Sequence, residues 1–197
     1  MKFMISGADG FVGKALCAEL LRRGQSVSGA VRSKNSLIEN AEAIVVGAID
    51  SETNWADALR YVDVVIHLAA RVHVMRENAS DPLGAFLKVN LHGTSNLARQ
   101  AACSGVKRLV YVSSIKVNGE QTSATQSFTE MDEPHPQDFY SISKWQAEQA
   151  LWRIARESGL EIVILRPPLV YFSSVKGNFA QMLTVVSKHI PLQFSSV

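Results

Sequence analysis

Lys2-Phe3-Met4-Ile5-Ser6-Gly7-Ala8-Asp9-Gly10-Phe11-Val12-Gly13 opens the chain with an apolar run that ends on three glycines spaced three apart. A short apolar run closed by a glycine suits a buried strand. From Phe11 to Arg23 the residues Phe11, Val12, Ala15, Leu16, Cys17, Leu20 and Leu21 make a helical stripe, and Gly24 is a stop signal. Between a strand and a helix, the three glycines have separable uses. Gly7 permits the sharp turn, Gly10 lets a pyrophosphate approach the backbone, and Gly13 lets helix and strand pack closely. The helix N-terminus offers N–H groups and the positive end of a dipole to phosphates. The turn predicts a dinucleotide site.

Outward from it, the pattern predicts strands at Ser26–Val31, Ala43–Val46, Val62–Leu68, Lys107–Ser113 and Glu161–Leu165. Helices are expected over 81–103, with Asp81-Pro82 at its start, over 139–157, and from Gly177 or Asn178 to Lys188. Thr53 or Asn54 is placed to cap a short helix through Arg60. Strand and helix alternate, and several strands lack polar alternation, so the fold class is α/β, a doubly wound parallel sheet of Rossmann type. The 117–137 loop is long for a compact domain and reads as functional.

Composition excludes several classes. The 197 residues are 47% hydrophobic and 19% charged, with a mean hydropathy of +0.05, which is globular rather than disordered. A net charge of +2 without a Lys/Arg run gives no nucleic-acid signature. The apolar runs at 62–70 and 160–170 are too short or interrupted to span a bilayer, so no membrane partner is expected. Cys17 and Cys103 read as free thiols, and no secretory signal is visible, so the expected compartment is the cytoplasm. His67 reads as a core histidine, and His73, His92, His135 and His189 have no partners at ligand spacing, so no metal is expected.

Two further stretches carry chemistry. Ala30-Val31-Arg32-Ser33 ends the second strand with no acid before Glu39. An Asp or Glu there would bind a ribose 2′-hydroxyl, whereas Arg32 suits a 2′-phosphate, so NADP is expected, with NAD as the alternative. Tyr140 and Lys144 are four apart and share one helix face. A nearby cation and a helix N-terminus would favour the phenolate, making Tyr140 a proton donor or acceptor during hydride transfer. Ser113 and Ser114 end the fifth strand, at the sheet edge where ligands sit, and Ser114 can hydrogen-bond the reacting oxygen. Trp145 and Trp152 form a packing stripe or a face for a second copy.

With Gly7-x-x-Gly10-Phe11-x-Gly13, Asp63-Val64-Val65-Ile66-His67-Leu68-Ala69-Ala70, Val89-Asn90-x-x-Gly93-Thr94, Ser113-Ser114 and Tyr140-x-x-x-Lys144 in order, the chain resembles the extended short-chain dehydrogenases/reductases of the NAD-dependent epimerase/dehydratase family. The resemblance implies that Tyr140 is the acid/base, that Lys144 binds the nicotinamide ribose and tunes Tyr140, and that Ser114 orients the substrate oxygen. It implies a cofactor cleft with Gly7, Gly10, Phe11, Val12, Gly13, Ile49, Leu68, Ala69 and Ala70, supported by Asn90 and passed by Pro167. Asn178 would begin the nucleotide-diphosphate contact. Ala48 stands where the family often has an acid, so an adenine amino contact must come from elsewhere. Residues 1–170 would be the dinucleotide domain, and 171–197 the incomplete start of a substrate lobe. The segments Ser113 to Gly119 and Arg166 to Tyr171 look closest to bacterial nucleotide-sugar 4-epimerases and 4-ketoreductases of O-antigen or capsule assembly. The expected partner is therefore a UDP-linked sugar, with a homodimer as a further expectation. The competing readings are a reductase of another carbonyl substrate and a non-catalytic NADP-binding sensor.

Overall fold

The computed structural model describes residues 1–36, 38–72, 80–122 and 127–171. Six strands, β1 (Lys2–Ser6), β2 (Ser26–Val31), β3 (Glu42–Val45), β4 (Val64–His67), β5 (Arg108–Val112) and β6 (Glu161–Leu165), form one sheet. Their order is β3-β2-β1-β4-β5-β6, and every pairing is parallel. The chain winds outward from β1 to β3 and then returns to lie β4 on the other side of β1. The connections therefore diverge between β1 and β4, which opens a crevice beyond the carboxyl ends of those strands.

Successive strand residues face opposite sides of the sheet. Met4 and Ala30 enter one apolar cluster with Trp55, Leu97, Ala101, Leu109 and Leu151. Their neighbours Ile5 and Val31 enter another, with Cys17 and Val27. Burial of both faces explains why these strands show no polar alternation. Helix α1 (Phe11–Arg22) covers one face. Helices α3 (Thr94–Cys103) and α4 (Phe139–Ser158) cover the other.

Two expected helices take a different form. The 81–103 stretch is α2 (Pro82–Leu87), a π-helical turn (Lys88–Gly93) and then α3. Asp81 caps it as its sequence suggested, its Oδ1 accepting from Gly84 N–H at 2.9 Å. The widened turn places Asn90 and Gly93 inward, and a Cβ on Gly93 would fall 2.5 Å from Ile49 Cγ2. Around 53–60 there is a series of turns instead of a helix. Asn54 Oδ1 does accept from Ala56 N–H at 2.9 Å, but wholly buried Trp55 anchors the segment, and Tyr61 leaves the right-handed helical region at φ 59.

The long loop after β5 is pinned at its described ends. Asn118 Nδ2 donates to Thr129 O at 3.0 Å, and His135 N–H donates to Val117 O at 3.0 Å. Both cysteines are free, Cys17 buried and Cys103 exposed. No helix among the described residues is long and apolar enough to cross a membrane. The helix expected from 177, Asn178, and the second lobe beyond Tyr171 lie outside the described residues.

Candidate active site

The glycine turn is fixed by backbone sterics. Gly7 has φ +69, and a Cβ there would lie 2.9 Å from the Ala69 nitrogen, so the turn presses against the end of β4. On Gly13 a Cβ would fall 2.2 Å from Gly7 O and 2.7 Å from Ala8 Cα, which makes Gly13 the close-packing position. Gly10 differs: a Cβ there would meet only Gly7 O, at 3.1 Å, and otherwise faces open space. Gly10 is also the N-cap of α1, with no side-chain cap and no acidic residue in the first turn. Uncapped N–H groups beside an open backbone surface fit an anionic pyrophosphate.

Beside this turn, the β4 end is tied down polar atom by polar atom. Leu68 N–H donates to Ser6 O at 3.2 Å, and Ala69 N–H donates to Ser6 Oγ at 3.3 Å. His67 is buried between Ser6 Oγ and Thr94 Oγ1, 2.9 Å from Nε2. Burial first, and then the Lys144 charge, lower its pKa to about 3, so it is the core histidine its sequence context suggested. Asn90, in the π-helical turn, accepts from Arg71 N–H at 2.8 Å. Its Nδ2 donates to Arg71 O at 3.0 Å and to Ser143 Oγ at 2.9 Å. One buried amide thus links the β4 loop to α4 next to Lys144.

Tyr140 sits in the first turn of α4, whose start is set by Asp138: its Oδ1 accepts from Ser141 N–H at 2.6 Å while Ser141 Oγ accepts from Asp138 N–H at 3.1 Å. Ser114 stands close enough to the Tyr140 phenol to lower its pKa, and the Phe86 ring meets Tyr140 edge-on at 6.4 Å. Serine and phenol therefore come together as expected. Pro167 is brought beside them, its carbonyl accepting from Ile115 N–H at 3.1 Å.

The lysine is held by the fifth strand. Lys144 is buried; its Nζ donates to Val112 O at 2.6 Å and stands 4.1 Å from the Tyr111 ring centroid. Burial lowers its amine to about 7, against the opposing pull of Glu148. Burial raises the phenol above its ordinary value and Asp138 adds to this, while the Ser114 hydrogen bond and the Lys116 charge act the other way. One helical turn deeper than Tyr140, Lys144 is claimed by the β5 carbonyl, and the cation acting on the phenol is Lys116, which pairs with Asp138 at 2.7 Å.

Of the remaining expected residues, Phe11, Leu68, Ala69 and Ala70 are partly buried along the crevice, and Val12 is exposed on the first turn of α1. Ile49 lies against the π-helical turn. Arg32 is exposed just past β2. Among the described residues no three His, Cys, Asp or Glu side chains cluster as metal ligands. Sequence reading missed Lys116, Asp138 and the buried pair of Glu148 with Arg166, whose Nη2 and Oε2 are 2.6 Å apart. A signal for Glu148 existed: Tyr140, Lys144 and Glu148 recur every four residues along one helix face.

Comparison with known proteins adds a second line. The family model for the NAD dependent epimerase/dehydratase family matches residues 3–192. A UDP-glucose 4-epimerase of Vibrio cholerae is 43% identical over 195 residues, covering 98% of this chain and 59% of that protein. A short-chain dehydrogenase/reductase superfamily protein from Agrobacterium tumefaciens, crystallised with bound NAD, superposes with a TM-score of 0.72 at 28% identity, covering 84% of this chain and 48% of its own. MoeE5 in complex with UDP-glucuronic acid and NAD gives a TM-score of 0.70 at 27% identity, covering 83% and 52%. The chain thus spans roughly half to three-fifths of the length of these proteins.

Proposed function

Because the chain belongs to the NAD-dependent epimerase/dehydratase family, we propose that it holds NAD or NADP along the carboxyl edge of β1 and β4 and serves a 4-epimerase or 4-ketoreductase of a UDP-linked hexose. The observation that carries this reading is the open Gly10 backbone at the uncapped start of α1, on the same sheet edge as Ser114 and Tyr140. The 43% identity to a UDP-glucose 4-epimerase supports the substrate class.

When bound, the nicotinamide supplies the hydride chemistry. Gly7, Gly10 and Gly13 admit the pyrophosphate to the backbone, and Leu68, Ala69 and Ala70 wall the crevice. Tyr140, held protonated at neutral pH by burial, is the proton donor when a C4 carbonyl is reduced. In the opposite direction its phenolate takes the proton from the C4 hydroxyl. Ser114 hydrogen-bonds both the phenol and the reacting oxygen, holding the two within transfer distance. Lys144, one helical turn along the same face, would take the ribose hydroxyls of a bound cofactor as further partners. Arg32, exposed at the β2 end, favours the 2′-phosphorylated cofactor.

Fluorescence titration with NADH and NADPH tests the binding. Saturable binding of both is expected, and Arg32→Ala should weaken NADPH by about tenfold while leaving NADH unchanged. Absence of saturable binding of either would remove the reading. In the full-length protein, Tyr140→Phe should lower UDP-hexose turnover by at least about 100-fold with cofactor affinity nearly constant.

A further inference from the structure

The carboxyl ends of β5 and β6 and the middle of α4 meet on one buried carboxylate that the proposed chemistry does not use. Glu148 is 1% exposed. Arg166 grips it with two prongs, Nη2 to Oε2 at 2.6 Å and Nε to Oε1 at 3.1 Å. Ser113 Oγ donates to the same Oε1. Arg166 Nη1 continues to Asn118 Oδ1 at 3.0 Å, and its guanidinium lies over the Trp145 ring at 5.6 Å.

The two side chains that hydrogen-bond Glu148 are chain neighbours of site residues. Ser113 precedes Ser114, Arg166 precedes Pro167, and Glu148 follows Lys144 by one helical turn. We propose that Glu148 is the positioning residue of the site: its carboxylate fixes Ser114, Lys144 and Pro167 relative to one another and supplies the negative charge that keeps the buried Lys144 amine protonated. The inference rests on the Lys144 role proposed above.

The electrostatic part follows from what surrounds the lysine. Its neighbours are the Val112 carbonyl and Tyr111 ring from β5, His67 from β4, which feels its charge, and Glu148 from its own helix. His67 is neutral at physiological pH, and Tyr111 is held protonated by burial, with Tyr140 and Glu148 adding to the effect. Among these groups Glu148 carries the anion. A buried ammonium whose partners are one carbonyl and an aromatic face loses its proton readily unless such a charge stands near.

The test reads the amine itself, without cofactor. In protein labelled with 13C-lysine, the Lys144 Cε resonance is followed against pH, with Lys144→Arg giving the assignment. Glu148→Gln should move the Lys144 midpoint down by about one unit or more, and Glu148→Asp, which keeps the charge, should restore most of it. Glu148→Gln/Arg166→Gln, which removes the arginine charge together with the carboxylate, serves if the single variant does not fold. An unmoved midpoint in the folded variant overturns the proposal, because a purely structural Glu148 would lower the melting temperature alone. NADH titration follows: Glu148→Gln should bind about tenfold more weakly at pH 8.5 and nearly normally at pH 6. Wild-type protein that shows the lysine titration but never binds NADH would sink the function proposed above and leave this inference standing.

Discussion

The two ends of the crevice are built on different physics. At the β1–α1 turn, shape is set by missing side chains: Gly7 against Ala69 and Gly13 against Gly7 O leave no room for a methyl group. At the β5–α4 end, shape is set by buried polar and charged side chains, Lys144 on a carbonyl and Glu148 between Ser113 and Arg166. The first arrangement is steric and insensitive to pH or salt. The second is electrostatic, and removing one member exposes the desolvation cost of another. A phosphate needs only an open, rigid backbone, whereas proton transfer needs side chains whose charge the fold can tune.

The contrast can be broken at several points. Gly13→Ala puts a Cβ 2.2 Å from one backbone atom and 2.7 Å from another, where no flexible side chain can yield. A loss above about 4 kcal/mol is expected in urea unfolding. Arg166→Ala leaves Glu148 buried and uncompensated, and because Arg166 is 18% exposed the cost should sit near the lower end of the range, about 3 kcal/mol. Equal stability of that variant and wild type would show that the second end is not electrostatic. Acid gives a milder probe at the seam between the two ends. His67 titrates at about 3 in the folded chain against 6.5 as its ordinary value, so the unfolded state binds more protons between those pH values. Stability therefore falls as pH drops below about 6.5, by about 2 kcal/mol at pH 5. His67→Gln should flatten that slope in a series of denaturation curves.

The smallest stability change sharpens the comparison most. Gly10→Ala meets a single atom at 3.1 Å, so its cost should be about 1 kcal/mol or less, near that of an alanine at a helix N-cap. NADH affinity should nonetheless fall at least tenfold, because the added methyl occupies the surface offered to the pyrophosphate, an effect of about 1.4 kcal/mol. Stable protein with undiminished NADH binding would show that the open face of Gly10 is not where the dinucleotide lies.

The sequence was most legible where the signal is local. The β2 bounds, the β6 bounds and the start of α4 agree with the structure residue for residue, because apolar runs, glycine stops and helical spacing act within a few positions. The 81–103 pattern was read as one helix because periodicity cannot register a π-helical turn. From that turn Asn90 reaches Arg71 and Ser143, residues distant in sequence. The 53–60 segment had a genuine capping residue, yet burial of Trp55 outweighed helix propensity.

By itself, then, the amino-acid order determined the parallel α/β sheet, the glycine turn and the sharing of one helix face by Tyr140 and Lys144, since those follow from periodicity, small residues and spacing along one helix. Only the tertiary structure decided what each polar group does there. Whether Lys144 faces a phenol or a β5 carbonyl, and whether Glu148 lies in water or under an arginine, depends on strands brought together from far along the chain. Charge state follows from burial and neighbours, and both are properties of the packed molecule.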